Sequence, residues 1–240
     1  MVESPYLKNL ASLKVIKMGS DDIFKRKRKS REERKHSFRN PRANSFLIVT
    51  EGERTEPLYF AGIRDIIKGK TGGIIDIFEM SIVDIQGEGH ATMSLIKRAD
   101  FLVKKSKVNY QNVWVVFDKD DFADFDDAIK IAEKRGYKVA WSNPSFEYWL
   151  FLHFHFSDSA LHRDEWESKL SELFKRKACI RYQKNEPDMF NIVGGCDGAR
   201  TAIANCQKRM NKYVESEQSP SQFIPGSVVF KLVEELLKFT

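Results

Sequence analysis

Short apolar runs alternate with segments of helical periodicity from residue 46 onward, and this alternation restricts the fold more than any other feature of the sequence. The apolar runs fall at residues 46–50, 74–85, 113–117 and 137–141. Between them, apolar side chains recur at helical spacing in residues 55–67, 91–105 and 124–135. Strands that alternate with helices form parallel pairs, because each helix provides the crossover between two strands. The pattern therefore predicts an α/β fold with a mainly parallel sheet flanked by helices.

The alternation stops after residue 160, where only helical patterns continue. One helix is predicted to open at Asn143-Pro144 and to run to about residue 156, because proline suits the first turn of a helix. Further helices are predicted at residues 162–178, 198–215 and 227–238. We therefore expect an α/β core at residues 45–160 and a helical C-terminal extension at residues 161–240 that packs on this core.

The positive charge of the chain is concentrated in residues 1–44. The whole chain has a formal net charge of +6, and residues 1–44 hold 13 Lys and Arg against 5 Asp and Glu. The cationic run in this segment has almost nothing apolar to fold around, so we expect a basic, largely flexible arm. A solvated tail and an arm that binds nucleic-acid phosphates both fit this composition. The candidate phosphate-binding residues of the arm are Lys25, Arg26, Lys27, Arg28, Lys29, Arg31, Arg34, Lys35 and Arg39.

Several classes of protein do not fit the sequence. The longest apolar runs, such as residues 113–117, are far shorter than the ~20 residues of a membrane-spanning helix. The first residues lack the cationic and apolar regions of a secretory signal, so we expect a cytoplasmic protein with no membrane partner. Cys179, Cys196 and Cys206 are an odd number of cysteines, and their spacings match neither a disulfide framework nor a zinc motif.

Acidic residues follow two of the predicted strands. Glu51 comes directly after residues 46–50, and Asp118 follows residues 113–117, with Asp120 two positions later. The carboxyl ends of parallel strands share one edge of a sheet, where ligand-binding crevices form. Side chains two apart on an extended segment point the same way, so Asp118 and Asp120 are expected to face one side. If the two strands are neighbours, the three carboxylates form a site for Mg²⁺ or Mn²⁺, which bind oxygen ligands and phosphate.

A nuclease site is the chemistry that such a cluster supports. One or two ions would polarise a phosphodiester and supply hydroxide, with Glu51 as general acid or base. A structural role also fits, since residues 118–121 have the composition of a polar loop that caps the next helix. Glu53 fits a capping box, and Glu56 fits the favourable end of a helix dipole. A purely structural role explains Glu51 less well, because it adjoins an apolar strand and precedes Gly52, which allows close backbone approach.

Glu147 is a further acidic candidate, because its surroundings in the sequence are apolar. Residues 143–154 are apolar on nearly every side of a helix, so this segment is expected to be buried. A buried carboxylate needs a metal or a cation, or it binds a proton. A metal ligand and a salt bridge to Arg or Lys are both consistent with the sequence.

Three segments give the chain a resemblance to a known family. They are residues 46–60, 116–122 and 142–150, with a weaker similarity at residues 225–234. The order of apolar strand, Glu-Gly, helix and strand with Asp-x-Asp resembles the Toprim fold of topoisomerases, primases and nucleases. The long first and third segments make the chain similar to RloB-type proteins of bacterial restriction and phage-defence loci. Ile224 and Gly226 depart from the polar residues expected around Pro225.

The resemblance implies a Toprim-like catalytic core and a metal-dependent endonuclease of antiphage defence that cuts RNA, such as tRNA, or DNA. It implies Glu51 as acid or base and Asp118 and Asp120 as ligands of Mg²⁺ or Mn²⁺. Glu51 and Glu147 complete the proposed ligand set. Lys184 is a candidate phosphate contact, and a purely structural role at the surface is the alternative. The implied partners are nucleic acid and an ATPase or another protein of a restriction locus. A non-catalytic nucleic-acid-binding or partner-regulating module on the same scaffold is the alternative.

Overall fold

The computed structural model describes residues 45–71, 77–81 and 91–240. The predicted basic arm of residues 1–44, with its cations from Lys25 to Arg39, lies outside these ranges. The ends of the second predicted strand, residues 74–76 and 82–85, lie outside them as well. Among the described residues, no helix combines the length and the apolar character that crossing a membrane requires.

A five-stranded sheet forms the centre of the described part of the chain, and four of its strands are parallel. The strands are β1 (Phe46–Thr50), β2 (Ile77–Ser81), β3 (Asn112–Asp118), β4 (Lys138–Asn143) and β5 (Gly226–Ser227). Their order is β2-β1-β3-β4-β5, with β5 antiparallel to β4. β1 pairs with β3, with Thr50 opposite Val116. The strands that precede Glu51 and end in Asp118 are therefore neighbours, which is the condition that the predicted site required.

Helices connect the parallel strands and make up most of the C-terminal region. They are α1 (Thr55–Thr71), α2 (Ala91–Lys105), α3 (Phe125–Lys134), α4 (Phe146–Phe151), α5 (Arg163–Ala178), α6 (Met189–Ile192), α7 (Gly195–Val214) and α8 (Val229–Leu237). The prediction of an α/β fold with a mainly parallel sheet, flanking helices and a helical C-terminal region is confirmed.

One hydrophobic core joins the sheet to the C-terminal helices. β1 is buried along its whole length, and β3 is buried from Val113 to Phe117, as continuous apolar runs in parallel sheets usually are. The same core includes fully buried Trp166 of α5 and Leu232 of α8. The helices after residue 160 therefore pack on the sheet and help to fix the positions of its ends.

The structure corrects the predicted start of α4. Asn143 is the last residue of β4, the Asn143–Pro144 peptide is cis, and α4 begins at Phe146. Ser145 has extended backbone angles (φ −151°, ψ 168°), so the chain is not yet helical at the proline. Pro144 therefore belongs to the turn that leads from β4 into the helix. This helix also ends at Phe151, earlier than predicted.

The C-terminal region contains a strand that the sequence pattern does not predict. β5 consists of two residues, Gly226 and Ser227, which pair with Asn143 and Ser142. A two-residue strand has no periodicity to detect. The turn around Pro225 therefore borders the end of β4 and supports the segment that leads into α4.

Candidate active site

A cavity of about 320 Å³ lies at the carboxyl ends of β1 and β3. The backbone N–H of Glu51 continues the ladder between these strands by donating to the Val116 carbonyl at 2.9 Å. Glu51 Oε2 in turn accepts a hydrogen bond from the backbone N–H of Asp118 at 3.4 Å. The strand pairing therefore sets Glu51 beside Asp118. The cavity is lined by the acids Glu51, Glu53, Glu56, Asp118, Asp120 and Glu147 and by the cations Arg54, Arg163 and Lys184.

Three carboxylate oxygens in this cavity are buried and have no hydrogen-bond partner. They are Glu51 Oε1, Asp118 Oδ1 and Asp120 Oδ1. Buried polar atoms in proteins are nearly always hydrogen-bonded, and an unpartnered one costs free energy. The arrangement therefore leaves three strong acceptors available to a cation or to a donor that is not part of the chain.

Asp118 is held by the start of α4. Its Oδ2 accepts a hydrogen bond from the backbone N–H of Phe146 at 2.9 Å, so only its Oδ1 lacks a partner. This bond links the end of β3 to the segment after β4. The carboxylate of Asp118 is consequently fixed in direction by a backbone N–H at the start of α4.

Asp120 reaches the cavity by a different route from the predicted one. β3 ends at Asp118, and Asp120 has a positive φ of 36°, so strand alternation does not orient its side chain. The turn is held by the backbone N–H of Asp120, which donates to the Pro144 carbonyl at 3.1 Å. Its Oδ2 forms an ion pair with Arg163 Nη1 at 3.1 Å. The two aspartates do meet at one cavity, because a turn rather than an extended strand brings them there.

Glu147 is buried, with 5% of its surface exposed. Its Oε1 accepts a hydrogen bond from the Tyr182 hydroxyl at 3.0 Å and lies 3.5 Å from Lys184 Nζ. The loop that carries Lys184 is attached to α1, because the Thr55 hydroxyl donates to the Lys184 carbonyl at 3.2 Å. Of the two partners that the sequence allowed for Glu147, the structure shows the salt bridge to lysine. Lys184 also lines the cavity, although its side chain is 56% exposed.

Glu56 is the site residue that the sequence reasoning missed. Only 6% of its surface is exposed, and its carboxylate lies against Gly52, where any Cβ would overlap it. The close approach expected at Gly52 is therefore made by a side chain of the same site. The available signal was the spacing in Glu51-Gly52-Glu53-Arg54-Thr55-Glu56, which puts a second glutamate in the first turn of α1.

Burial and mutual repulsion raise the pKa values of these acids. Burial raises the pKa of Glu51 to about 7, and the negative charge of Asp120 adds to the effect. Burial, followed by the charge of Glu147, raises the pKa of Glu56 to about 7. Burial and the neighbouring carboxylates also raise the pKa of Asp118 well above its usual range. Burial raises the pKa of Asp120 as well, against the opposing pull of Arg163.

The donor set suits a hard divalent cation such as Mg²⁺ or Mn²⁺. The unpartnered oxygens of Glu51, Asp118 and Asp120 fit such an ion chemically. In the described ranges, however, no three Asp, Glu, His or Cys side chains are already grouped as a ready ligand cage. The carboxylates surround the cavity, and Arg163 and Lys184 neutralise two of them in the arrangement seen here.

A comparison with protein families shows that the cavity lies within a region that matches a known family. The family model described as RloB-like protein matches residues 46–236, which contain every acid of the cavity. No curated protein and no solved structure matches the chain. The match covers most of the chain, from the first strand to the last helix. The chain therefore belongs to the RloB-like family.

Proposed function

We propose that the chain is a divalent-metal-dependent endonuclease that hydrolyses phosphodiester bonds of RNA or DNA in antiphage defence. The observation that carries this proposal is the set of three buried, unpartnered carboxylate oxygens at the carboxyl ends of two neighbouring parallel strands. Oxygen ligands grouped at the wall of such a cavity suit metal-assisted phosphoryl chemistry.

The acidic residues would have two roles, metal binding and proton transfer. Asp118, Asp120 and Glu147, with Glu51, would hold Mg²⁺ or Mn²⁺. When bound, the ion would polarise the phosphate and lower the pKa of water. Burial raises the pKa of Glu51 to about 7 in the metal-free chain, and this residue would act as general acid or base. Phe146 would keep Asp118 in place through its backbone N–H.

The cations of the cavity would hold the substrate. Arg54, Arg163 and Lys184 lie on the wall that the acids also line. Arginine and lysine bind phosphate oxygens through charge-assisted hydrogen bonds. Arg163 and Lys184 now pair with Asp120 and Glu147, so a metal on those acids would release both cations for the phosphate.

The decisive experiment is a cleavage assay with purified protein. Labelled tRNA, plasmid and single-stranded DNA are incubated with Mg²⁺, Mn²⁺ or a chelator. We expect products only with metal, and a loss of about 100-fold or more in Glu51→Gln and in Asp118→Asn, the range that acid–base catalysis contributes. Asp127→Asn is the matched control, because Asp127 is an exposed acid on α3. Cleavage that survives in both site variants, with the fold intact, overturns the proposal.

A non-catalytic nucleic-acid-binding or partner-regulating module is the second candidate. It is favoured by the ion pairs themselves, because Arg163 and Lys184 neutralise acids of the cavity. Such a module would bind nucleic acid in a salt-sensitive manner. Salt-sensitive binding without metal-dependent products, including in the presence of an ATPase encoded at the same locus, would select this candidate.

A further inference from the structure

A second cavity of about 320 Å³ adjoins the candidate active site. The two cavities share Asp120 and Arg163, whose ion pair at 3.1 Å forms the boundary between them. A ligand that bridges the cavities would therefore contact Arg163. The volume lies at the lower end of the range for small-molecule pockets, roughly 300–1,000 Å³, and suits a single nucleotide better than a base pair.

The walls of the second cavity are mainly apolar. Pro144, Leu161 and Ile224 contribute to them. Ile224 is 44% exposed, one of three large apolar side chains with marked exposure in the described part of the chain. Phe101 and Val214, the other two, are not among the residues that line this cavity. An apolar wall open to solvent beside a phosphate-binding group is a suitable surface for the face of a base.

Hydrogen bonds among the residues around the second cavity hold its walls in place. The Asn143 side-chain amide donates to the carbonyls of Pro220 and Ser221, each at 3.0 Å. The Ser221 backbone N–H donates to Asp126 at 2.9 Å, and Arg209 donates to the Ile224 carbonyl at 3.0 Å. A pocket that is already formed loses little entropy when it binds a ligand.

The rim of the second cavity favours a phosphate. Lys119 and Arg163 contribute cationic side chains, and His162 lies beside them. Lys119 Nζ donates to the Asp120 carbonyl at 3.3 Å, so its charge is held close to the boundary between the cavities. The acid on this boundary, Asp120, is paired with Arg163 in the arrangement seen here, and a metal on Asp120 would release Arg163 for the phosphate. Asp121 is the other acid of the rim and is exposed to solvent.

We propose that the second cavity binds one unpaired nucleotide of the substrate strand, with its base against Leu161 and Ile224 and an adjoining phosphate on Arg163. This inference rests on the proposed function, because the phosphate held by Arg163 leads into the candidate active site. A base in a duplex is stacked and paired, and it cannot enter without leaving the helix. The substrate is therefore single-stranded nucleic acid or an unpaired loop.

The test compares Ile224→Glu with Val214→Glu, a control that adds the same charge at another exposed apolar position. Fluorescence anisotropy in chelator measures the affinity of each variant for short single-stranded RNA and DNA and for the matching duplexes. We expect Ile224→Glu to bind single strands about tenfold more weakly, the loss expected for one stacked base, with a smaller change for duplexes. Leu161→Gln is the second variant, for use if Ile224→Glu does not fold.

The outcomes separate this inference from the proposed function. An equal loss for single strands and duplexes would be a simple charge effect and would overturn the nucleotide site. Equal affinities of Ile224→Glu and Val214→Glu would overturn it as well. If the unmodified chain yields no metal-dependent products while Ile224→Glu still loses single strands selectively, the endonuclease proposal fails and the nucleotide site stands.

Discussion

The two ends of the parallel sheet differ in how well their charged groups are hydrogen-bonded. At the amino ends of β3 and β4, Lys138 donates to Asn112 Oδ1 at 2.9 Å and to Glu235 Oε1 at 2.7 Å. At the carboxyl ends, Glu51 and Asp118 each keep a buried oxygen without a hydrogen bond. Folding alone favours the first arrangement, because unpartnered buried oxygens cost stability. The comparison indicates that the carboxyl end is arranged for a ligand and the amino end for the fold.

The largest expected effect is a fall in stability as pH rises. The folded chain holds protons on Glu51 and Glu56 up to about pH 7, whereas the unfolded chain loses them near the ordinary value of 4.5. Between these values the folded state binds more protons, so the free energy of unfolding decreases as pH increases. Each group contributes at most about 3 kcal/mol to this decrease. Thermal unfolding of the metal-free protein between pH 4.5 and 7.5 measures it.

Replacing both carboxyls sharpens this test. The double variant Glu51→Gln and Glu56→Gln should have a smaller slope and be more stable than the unmodified chain at pH 7.5. Asp118 and Asp120, whose pKa values are also raised, account for the slope that remains. Mg²⁺ or Mn²⁺ should raise the melting temperature of the unmodified chain more at pH 7.5 than at pH 5, because protons compete with the ion for the carboxylates. A stability that rises with pH across this window would contradict the assignment of buried, protonated acids.

A smaller effect is expected from Gly52→Ala. The new Cβ would overlap the Glu56 carboxylate, which has little room to move because it is buried. We expect a loss of about 1–3 kcal/mol in unfolding free energy, measured by denaturant titration, together with slower cleavage. Gly69→Ala is the control, since its Cβ would meet nothing within 4 Å and alanine favours a helix. Adding Glu56→Ala to Gly52→Ala should recover stability; two additive losses would show that the two positions are not in contact.

The smallest effect is expected at the other end of the sheet. Glu235→Gln removes a partly exposed ion pair with Lys138, which is worth roughly 0.2–1 kcal/mol. Chemical denaturation should show this loss, while metal-dependent cleavage should remain unchanged. Glu217→Gln is the control, because Glu217 is exposed. Slower cleavage in Glu235→Gln than in this control would show that the amino end of the sheet also affects activity, contrary to the comparison.

The sequence predicts the parts of the structure that depend on local patterns. The apolar run at residues 46–50 and the acids that follow the strands placed Glu51 and Asp118 at one edge of a parallel sheet, and the pairing of β1 with β3 confirms that they are neighbours. The predicted bounds of α2 match the observed helix, Ala91–Lys105. Periodicity and strand ends are short-range properties, so one sequence is enough to detect them.

The parts that were missed depend on contacts between distant segments. The surroundings of Glu56 include Lys184, a residue more than a hundred positions away whose carbonyl accepts a hydrogen bond from Thr55. β5 exists only because it pairs with the end of β4. The orientation of Asp120 comes from a turn that bonds to Pro144, not from strand alternation. Such contacts follow from the complete fold and leave no local pattern.

Main-chain hydrogen bonds fasten the turn after β3 to the end of β4 and to the turn that follows β4. The N–H groups of Lys119 and Asp120 donate to the carbonyls of Ser142 and Pro144 at 2.8 and 3.1 Å. These bonds depend on the length of each turn and not on the side chains of its residues. Side chains such as Lys119 are thus free to vary while the carboxylates stay in place. An insertion or deletion of one residue in either turn would move the acids themselves.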